Sequence, residues 1–184
     1  IAYGTPNDRV IALADYAAAA AETVGNLGCR LVFEPGRALV GNAGLLLTRV
    51  VGVKDGEARR FVIVDAAMND LIRPAMYGAH HLIRPVRQPK PGTVESPVDV
   101  VGPICESSDQ FGVQRPLPPL VADELLVLLS CGAYGFVMAS TYNMRPLAAE
   151  VMVEGDRFAV IRPRQSYETL LGADRLPEWM ADDG

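Results

Sequence analysis

The chain has 184 residues, about half of them hydrophobic and 21% charged, with a net charge of −5 at neutral pH. This composition is ordinary for a globular protein with a real core, and the acidic balance argues against nucleic acid as a partner. No apolar run reaches the roughly 18 residues of a membrane-spanning helix, and the N-terminus lacks a signal-peptide pattern. Three cysteines without metal-ligand spacing indicate reduced thiols and a cytoplasmic location.

The N-terminal part of the chain has an α/β pattern. A helix is predicted over residues 7–26, with Asn7 or Asp8 as its N-cap. The apolar run Leu31-Val32-Phe33 predicts a buried parallel strand over residues 29–33, which ends at the Glu-Pro-Gly-Arg motif of residues 34–37. Such a strand end brings a carboxylate, backbone N–H groups and a guanidinium to one point. Ligands of α/β folds bind at the carboxyl ends of strands, so this corner is a candidate site for an anionic, nitrogen-bearing ligand.

After residue 44 the pattern changes to β. Asp55-Gly56 and Gly155-Asp156 predict two hairpin turns, and the Pro-rich stretches 85–97 and 116–119 predict loops. Strands are predicted over residues 45–53, 60–64, 81–86, 98–103, 124–130, 148–154 and 158–162, and short helices over 133–143 and 165–172. The predicted fold is the tail of an α/β domain followed by a mainly antiparallel β domain. A single αβ unit cannot bury both faces of its strand, so the α/β part needs further elements.

Several motifs follow the one at residues 34–37 in a fixed order. They are Val40-Gly41-Asn42-Ala43-Gly44, Asp65-Ala66-Ala67-Met68-Asn69-Asp70, Arg73-Pro74-Ala75-Met76-Tyr77, Gly102-Pro103-Ile104-Cys105-Glu106-Ser107-Ser108-Asp109 and Gly132-Ala133-Tyr134-Gly135. In order and spacing they resemble the fold-type III decarboxylases that use pyridoxal phosphate, among them the diaminopimelate decarboxylases. The resemblance extends over nearly the whole chain.

The resemblance implies a (β/α)8 barrel followed by a β-barrel-like domain. Residues 1–43 would be the end of an incomplete TIM-type barrel, and residues 44–184 the β domain, with 133–145 returning to the active site. The family binds its cofactor covalently through a lysine on an early barrel strand. The only lysines here are Lys54 and Lys90, and neither lies in a predicted buried strand. We therefore expect an N-terminal barrel half to be missing and this chain to be inactive alone.

The resemblance also assigns residues to the cofactor, pyridoxal 5′-phosphate. Glu34 would pair with the pyridinium nitrogen, because a nearby carboxylate favours its protonated form. Gly36 would let the backbone approach the phosphate. Arg37 would bind the phosphate or a substrate carboxylate, and Tyr134 would bind the phosphate beside the substrate.

A second set of residues would act on the substrate. Arg73 and Tyr77 resemble the pair that binds the distal carboxylate. Cys105 would return a proton to the α-carbon after decarboxylation, since the ordinary pKa of a thiol lies within reach of neutral pH. Glu106 would bind the substrate amino group. Relatives that act on ornithine or arginine typically carry aspartate there, which favours diaminopimelate.

The implied activity is conversion of meso-2,6-diaminopimelate to L-lysine and carbon dioxide. It would take place in a homodimer with the active site at the interface, where the Cys105-Glu106 segment reaches the neighbouring barrel. The alternatives are a sister decarboxylase of another basic amino acid or of carboxynorspermidine, and a non-catalytic relative that binds a partner or ligand.

The remaining polar candidates have simpler interpretations. His80-His81 is not expected to bind a metal, because adjacent strand residues point to opposite faces. Cys29 and Cys131 are interpreted as buried apolar residues. Asp109 is either a structural turn residue or a support of the site.

Overall fold

A computed structural model describes residues 1–5 and 8–180. The chain divides into two compact units, Ile1–Met138 and Ala139–Gly184. No helix among the described residues is long and apolar enough to cross a membrane.

Helix α1 spans Leu13–Val24 and starts without a side-chain cap. Of the two predicted caps, Asn7 lies outside the described residues. Asp8 instead accepts hydrogen bonds from the upstream backbone N–H groups of residues 3–5 and from the Thr5 hydroxyl. These bonds, led by that of the hydroxyl, lower the pKa of Asp8 to about 2. The predicted helix start is therefore wrong, because this carboxylate is bound upstream of the helix.

The strand predicted over residues 29–33 is not present. These residues form no regular secondary structure, and Val32 is 73% exposed. A strand needs a neighbour for its backbone N–H and C=O groups, and the part of the chain that the structure describes offers none here. The segment continues into helix α2 (Gly36–Val40) and a 3₁₀ turn, Gly41–Ala43.

The first unit is built on a six-stranded sheet. Its strands are β1 (Leu46–Asp55), β2 (Arg60–Val64), β3 (Ile83–Pro85), β4 (Ser96–Val101), β5 (Gln110–Leu117) and β6 (Leu125–Leu128). The order is β3-β6-β1-β2-β4-β5, and every pair is antiparallel except β2–β4. The edge strands β3 and β5 approach each other, so the sheet is nearly closed. The prediction of a mainly antiparallel, barrel-like β domain is confirmed.

Alternate residues of these strands fill the inside of the sheet. The largest fully buried apolar side chains are Val50, Val62, Val64, Leu71, Val100, Phe111, Leu117, Leu126 and Leu128. Each such side chain contributes about 1.5–3 kcal/mol by leaving water. Between β2 and β3 the chain forms the single-turn helix α3 (Arg73–Tyr77), and this helix rests on the sheet domain with Arg73 buried.

Strand β5 was not predicted from the sequence. It contains Gly112 and Pro116, residues that are depleted in strands. Proline is tolerated here because β5 is an edge strand, where one side needs no backbone donor.

The second unit contains an antiparallel hairpin of β7 (Glu150–Glu154) and β8 (Arg157–Arg162), as predicted. Its turn uses Gly155 in the left-handed region, with φ of 61°. Helix α4 (Tyr167–Leu171) follows, and the Ser166 hydroxyl caps it by accepting the Thr169 N–H at 3.2 Å.

The helix predicted over residues 133–143 is wrong. Two 3₁₀ turns occur instead, at Phe136–Met138 and Tyr142–Met144. Tyr134 and Asn143 have φ of 58° and 54°, which a right-handed α-helix cannot contain.

Candidate active site

Five of the predicted site residues line a cavity of about 720 Å³ in the first unit. They are Glu34, Arg37, Arg73, Tyr77 and Tyr134. The rest of the lining is largely apolar and includes Ile11, Leu13 and Tyr16 from the segment around α1. No motif marks these three residues, so they could not be selected from the sequence. A cavity of this size, with a few convergent polar groups on apolar walls, is typical of a small-molecule site.

Backbone contacts between glycines bring α2 beside the segment that carries Tyr134. The Gly132 N–H donates to the Gly41 carbonyl at 3.0 Å, and the Cys131 N–H donates to the Gly44 carbonyl at 2.8 Å. A Cβ on Gly132 would lie 1.9 Å from the Val40 carbonyl oxygen. Only glycine permits this approach, which fixes the position of Glu34 and Arg37 relative to Tyr134.

Tyr134 reaches the cavity through an unusual backbone conformation. Its φ of 58° is rare for a bulky residue and costs about 1–3 kcal/mol. The side chain is half exposed, and the next residue, Gly135, has no room for a Cβ, which would lie 2.2 Å from the Cys131 carbonyl oxygen. Strain of this kind concentrates at ligand sites.

Arg73 and Tyr77 lie one helical turn apart on α3, so they share a face. Gly78 ends the turn in the left-handed region, with φ of 59°, and its N–H donates to the Pro74 carbonyl at 3.0 Å. Arg73 is 8% exposed, whereas Tyr77 is 63% exposed. The pair therefore presents a fixed cation and an accessible phenol.

Neutral groups hold the Arg73 guanidinium. The Arg73 nitrogen Nη1, which carries two hydrogens, donates to the Tyr3 hydroxyl at 3.1 Å and to His81 Nε2 at 3.3 Å. The guanidinium carbon lies 5.1 Å from the centre of the Tyr3 ring. Among the described residues, no carboxylate forms an ion pair with Arg73. This buried cation therefore keeps its capacity to bind an anion.

The structure does not place Cys105 and Glu106 at this cavity. Both are exposed on the loop after β4. The Glu106 carboxylate accepts the Ser108 hydroxyl at 3.1 Å. To fill their predicted roles, these two residues would have to face a site on another chain.

Asp109 has a structural role in the loop that carries Cys105. Its buried carboxylate accepts the Met68 N–H and the Ile104 N–H, each at 2.7 Å. A Cβ on Gly102 would lie 2.3 Å from this carboxylate. Asp109 thus ties the loop to the segment after β2.

The other two cysteines differ from each other. Burial raises the pKa of the Cys131 thiol to about 12, and the thiol donates to the Leu128 carbonyl at 3.2 Å, so Cys131 is unreactive. Cys29 is exposed, and its interpretation as a buried residue is wrong. The cause is segment 29–33, which pairs with no strand of the described residues and so stays exposed.

The adjacent histidines have separate partners. The His80 ring contacts Arg115, whereas the buried His81 ring contacts Arg73 and the Leu129 carbonyl. Within residues 1–5 and 8–180, no group of three or more His, Cys, Asp or Glu side chains could hold a metal ion.

A family model described as "Pyridoxal-dependent decarboxylase, C-terminal sheet domain" matches residues 11–132. The chain belongs to this family. The matched residues contain the whole six-stranded sheet together with Glu34, Arg37, Arg73 and Tyr77.

Several similar proteins within the family are named diaminopimelate decarboxylase. A diaminopimelate decarboxylase of Zymomonas mobilis is 50% identical over 83% of this chain and 35% of its own length. The crystal structure of the Helicobacter pylori diaminopimelate decarboxylase complexed with L-lysine is 41% identical in sequence, with a TM-score of 0.84. The match covers 94% of this chain and 42% of the H. pylori chain. The M. jannaschii diaminopimelate decarboxylase is 34% identical over 97% of this chain, with a TM-score of 0.89. The chain thus spans about two fifths of the length of these decarboxylases.

Proposed function

We propose that this chain is the C-terminal part of a diaminopimelate decarboxylase, which converts meso-2,6-diaminopimelate to L-lysine and carbon dioxide. The observation that carries the proposal is the shared cavity of Glu34, Arg37, Arg73, Tyr77 and Tyr134. The names of the relatives, at 44–50% identity, support the choice of substrate.

The residues present fit pyridoxal 5′-phosphate. Neither Glu34 nor Arg37 uses its side chain in a hydrogen bond or ion pair within the described residues, so both are available to a ligand. A Cβ on Gly36 would meet no atom within 4 Å, and its φ is not left-handed. The fold of this chain therefore does not require glycine there, whereas close approach of a phosphate would.

Each group has a role that follows from its charge. Glu34 would keep the ring nitrogen protonated. Arg37 and Tyr134 would bind the phosphate, the first through charge-assisted bonds and the second through its phenol. When bound, the cofactor supplies an electron sink for the pair left at the α-carbon by loss of carbon dioxide.

Arg73 and Tyr77 would bind the distal carboxylate, which the reaction leaves in the product. A guanidinium offers five N–H donors, so Arg73 can keep its bonds to Tyr3 and His81 and still bind a carboxylate. This arrangement favours substrates that retain a carboxylate at the end remote from the reaction.

Cys105 and Glu106 would act across a two-fold dimer interface. Both are exposed and lie away from the cavity of their own chain. In a symmetric dimer the same loop of each subunit can complete the partner's site. There Cys105 would return the proton to the α-carbon, and Glu106 would bind the substrate amino group.

The cofactor-binding lysine would lie in an N-terminal barrel half of the full-length protein. Lys54 lies near the exposed end of β1 and Lys90 on an exposed loop, so neither is desolvated. We propose residues 1–43 as the end of that barrel, residues 44–184 as the β domain, and residues 133–145 as the segment that returns to the site.

Substrate turnover by the full-length enzyme tests the proposal. We expect release of carbon dioxide from meso-diaminopimelate and much slower release from ornithine, arginine, lysine and carboxynorspermidine. Replacement of Arg73 by leucine should abolish the preference for diaminopimelate over lysine. Equal or faster turnover of a substrate without a distal carboxylate would contradict the substrate assignment.

A further inference from the structure

We propose that His81 is a positioning residue that aims the Arg73 guanidinium at the substrate's distal carboxylate. This inference rests on the proposed function. His81 does not itself line the cavity, and it would act through Arg73.

The hydrogen bonds of the His81 ring fix its tautomer. Nδ1 lies 2.8 Å from the Leu129 carbonyl oxygen, which can only accept, so Nδ1 carries the proton. Nε2 lies 3.3 Å from an Arg73 nitrogen, which can only donate, so Nε2 is the acceptor. Both bonds are satisfied only by a neutral imidazole.

Neutrality is what makes this support suitable for a substrate-binding arginine. A carboxylate in the place of His81 would neutralise Arg73 and compete with the substrate carboxylate. An imidazole instead orients the guanidinium and leaves its positive charge for the ligand. Burial lowers the pKa of His81, which is fully buried, so the ring stays neutral at physiological pH.

The surroundings of His81 favour the same state. The Tyr3 ring packs edge-on against it, with ring centres 5.5 Å apart. The charged and titratable groups that face it are Arg73, His80, Arg115, Tyr3 and Cys131. The two arginines disfavour a second proton, and the Cys131 thiol is neutral because its pKa is raised to about 12.

The test compares His81→Leu and His81→Gln in the full-length enzyme. Leucine removes the acceptor, whereas glutamine can still donate to the Leu129 carbonyl and accept from Arg73. We expect His81→Leu to raise the KM for meso-diaminopimelate and the Kd for L-lysine about 10- to 100-fold, with a smaller change in kcat. His81→Gln should restore most of this loss. His80→Leu, next in the chain but in contact with Arg115, is the matched control and should leave both constants nearly unchanged.

Cadaverine, which is lysine without its carboxylate, separates positioning from general damage. Its affinity should be the same in wild type and His81→Leu. An equal loss of lysine and cadaverine binding would overturn the inference, as would failure of glutamine to restore lysine binding in a folded variant.

If His81→Leu does not fold, His81→Gln and nitrogen NMR of the wild-type ring still decide the question. We expect the neutral Nδ1–H tautomer at pH 7, and an Nε2–H tautomer or a charged ring would overturn the inference. If the wild type released no carbon dioxide from diaminopimelate, that result would instead count against the proposed function. The NMR measurement of the His81 tautomer does not depend on that activity.

Discussion

The two sides of the candidate site differ in how much of the chain supports them. Arg73 is buried on the sheet domain and held by Tyr3 and His81. Glu34 and Arg37 lie on an exposed segment, in which helix α1 and helix α2 have no buried residue. The proposed substrate side is thus held in place by this chain, whereas the proposed cofactor side depends on a few backbone contacts. We attribute the difference to the barrel half that we propose for the full-length enzyme.

The largest expected effect is catalytic and concerns an exposed residue. In the full-length enzyme, Cys105→Ser should lower kcat about 10²- to 10⁴-fold, because a serine hydroxyl is a much weaker acid than a thiol. Thermal stability should not change, since the side chain is exposed. Cys29→Ser, at the other exposed cysteine, is the control. Equal activity of the two variants would show that Cys105 has no catalytic role.

Two glycine substitutions distinguish a glycine that the fold requires from a glycine that cofactor binding requires. Gly132→Ala should destabilise the protein by about 3 kcal/mol, because the new Cβ meets the Val40 carbonyl oxygen. Gly36→Ala should change the free energy of unfolding by less than about 0.5 kcal/mol but weaken the binding of pyridoxal phosphate. Denaturant unfolding and cofactor titration measure the two effects. The comparison fails if Gly36→Ala lowers the free energy of unfolding as much as Gly132→Ala does while the cofactor affinity is retained.

Asp109→Asn tests whether the Cys105 loop is built into the sheet domain. The amide can accept only one of the two backbone N–H groups, so we expect a loss of about 1–3 kcal/mol. Asp156→Asn, at the exposed turn of the β7–β8 hairpin, should be neutral. Chemical denaturation of both variants measures the difference. Equal stabilities would show that the carboxylate of Asp109 is dispensable.

The smallest expected effect is a dependence of stability on pH. The pKa of His81 is lowered from its ordinary 6.5, chiefly by burial. Below pH 6.5 the unfolded chain therefore binds more protons, and the free energy of unfolding falls. The stabilisation is complete above pH 6.5 and is lost as the pH falls through the folded pKa. His80, the only other histidine, has a pKa lowered in the same direction.

Denaturant midpoints between pH 7.5 and pH 5 measure this dependence. His81→Gln should flatten the curve, whereas His80→Gln should leave most of the slope. An unchanged slope in His81→Gln would mean that His81 is not held neutral by the fold.

Much of the sheet domain could be predicted because its hairpins carry local signals. Asp55-Gly56 marks a turn of this domain, Gly155 marks the turn of the hairpin in the second unit, and β2 has the predicted bounds, residues 60–64. Strand β5 was not predicted because Gly112 and Pro116 interrupt the pattern of β-branched and apolar residues that indicates a strand. Its stability comes from pairing with β4, which no local window reveals.

The errors in the N-terminal segment have a different cause. Residues 29–33 have the composition of a strand, but a strand forms only beside another, and the described part of the chain supplies no neighbour. At the site, the motifs identified Glu34, Arg37, Arg73, Tyr77 and Tyr134. They could not reveal His81, whose importance depends on distances to Leu129 and Arg73 that the sequence does not contain.

The most direct test of the central claim is borohydride reduction of the full-length protein after addition of pyridoxal phosphate, followed by peptide mass mapping. We predict one modified lysine, located outside these 184 residues, and loss of the modification in Glu34→Ala or Arg37→Ala at limiting cofactor. Modification of Lys54 or Lys90, or no modification at all, would contradict it.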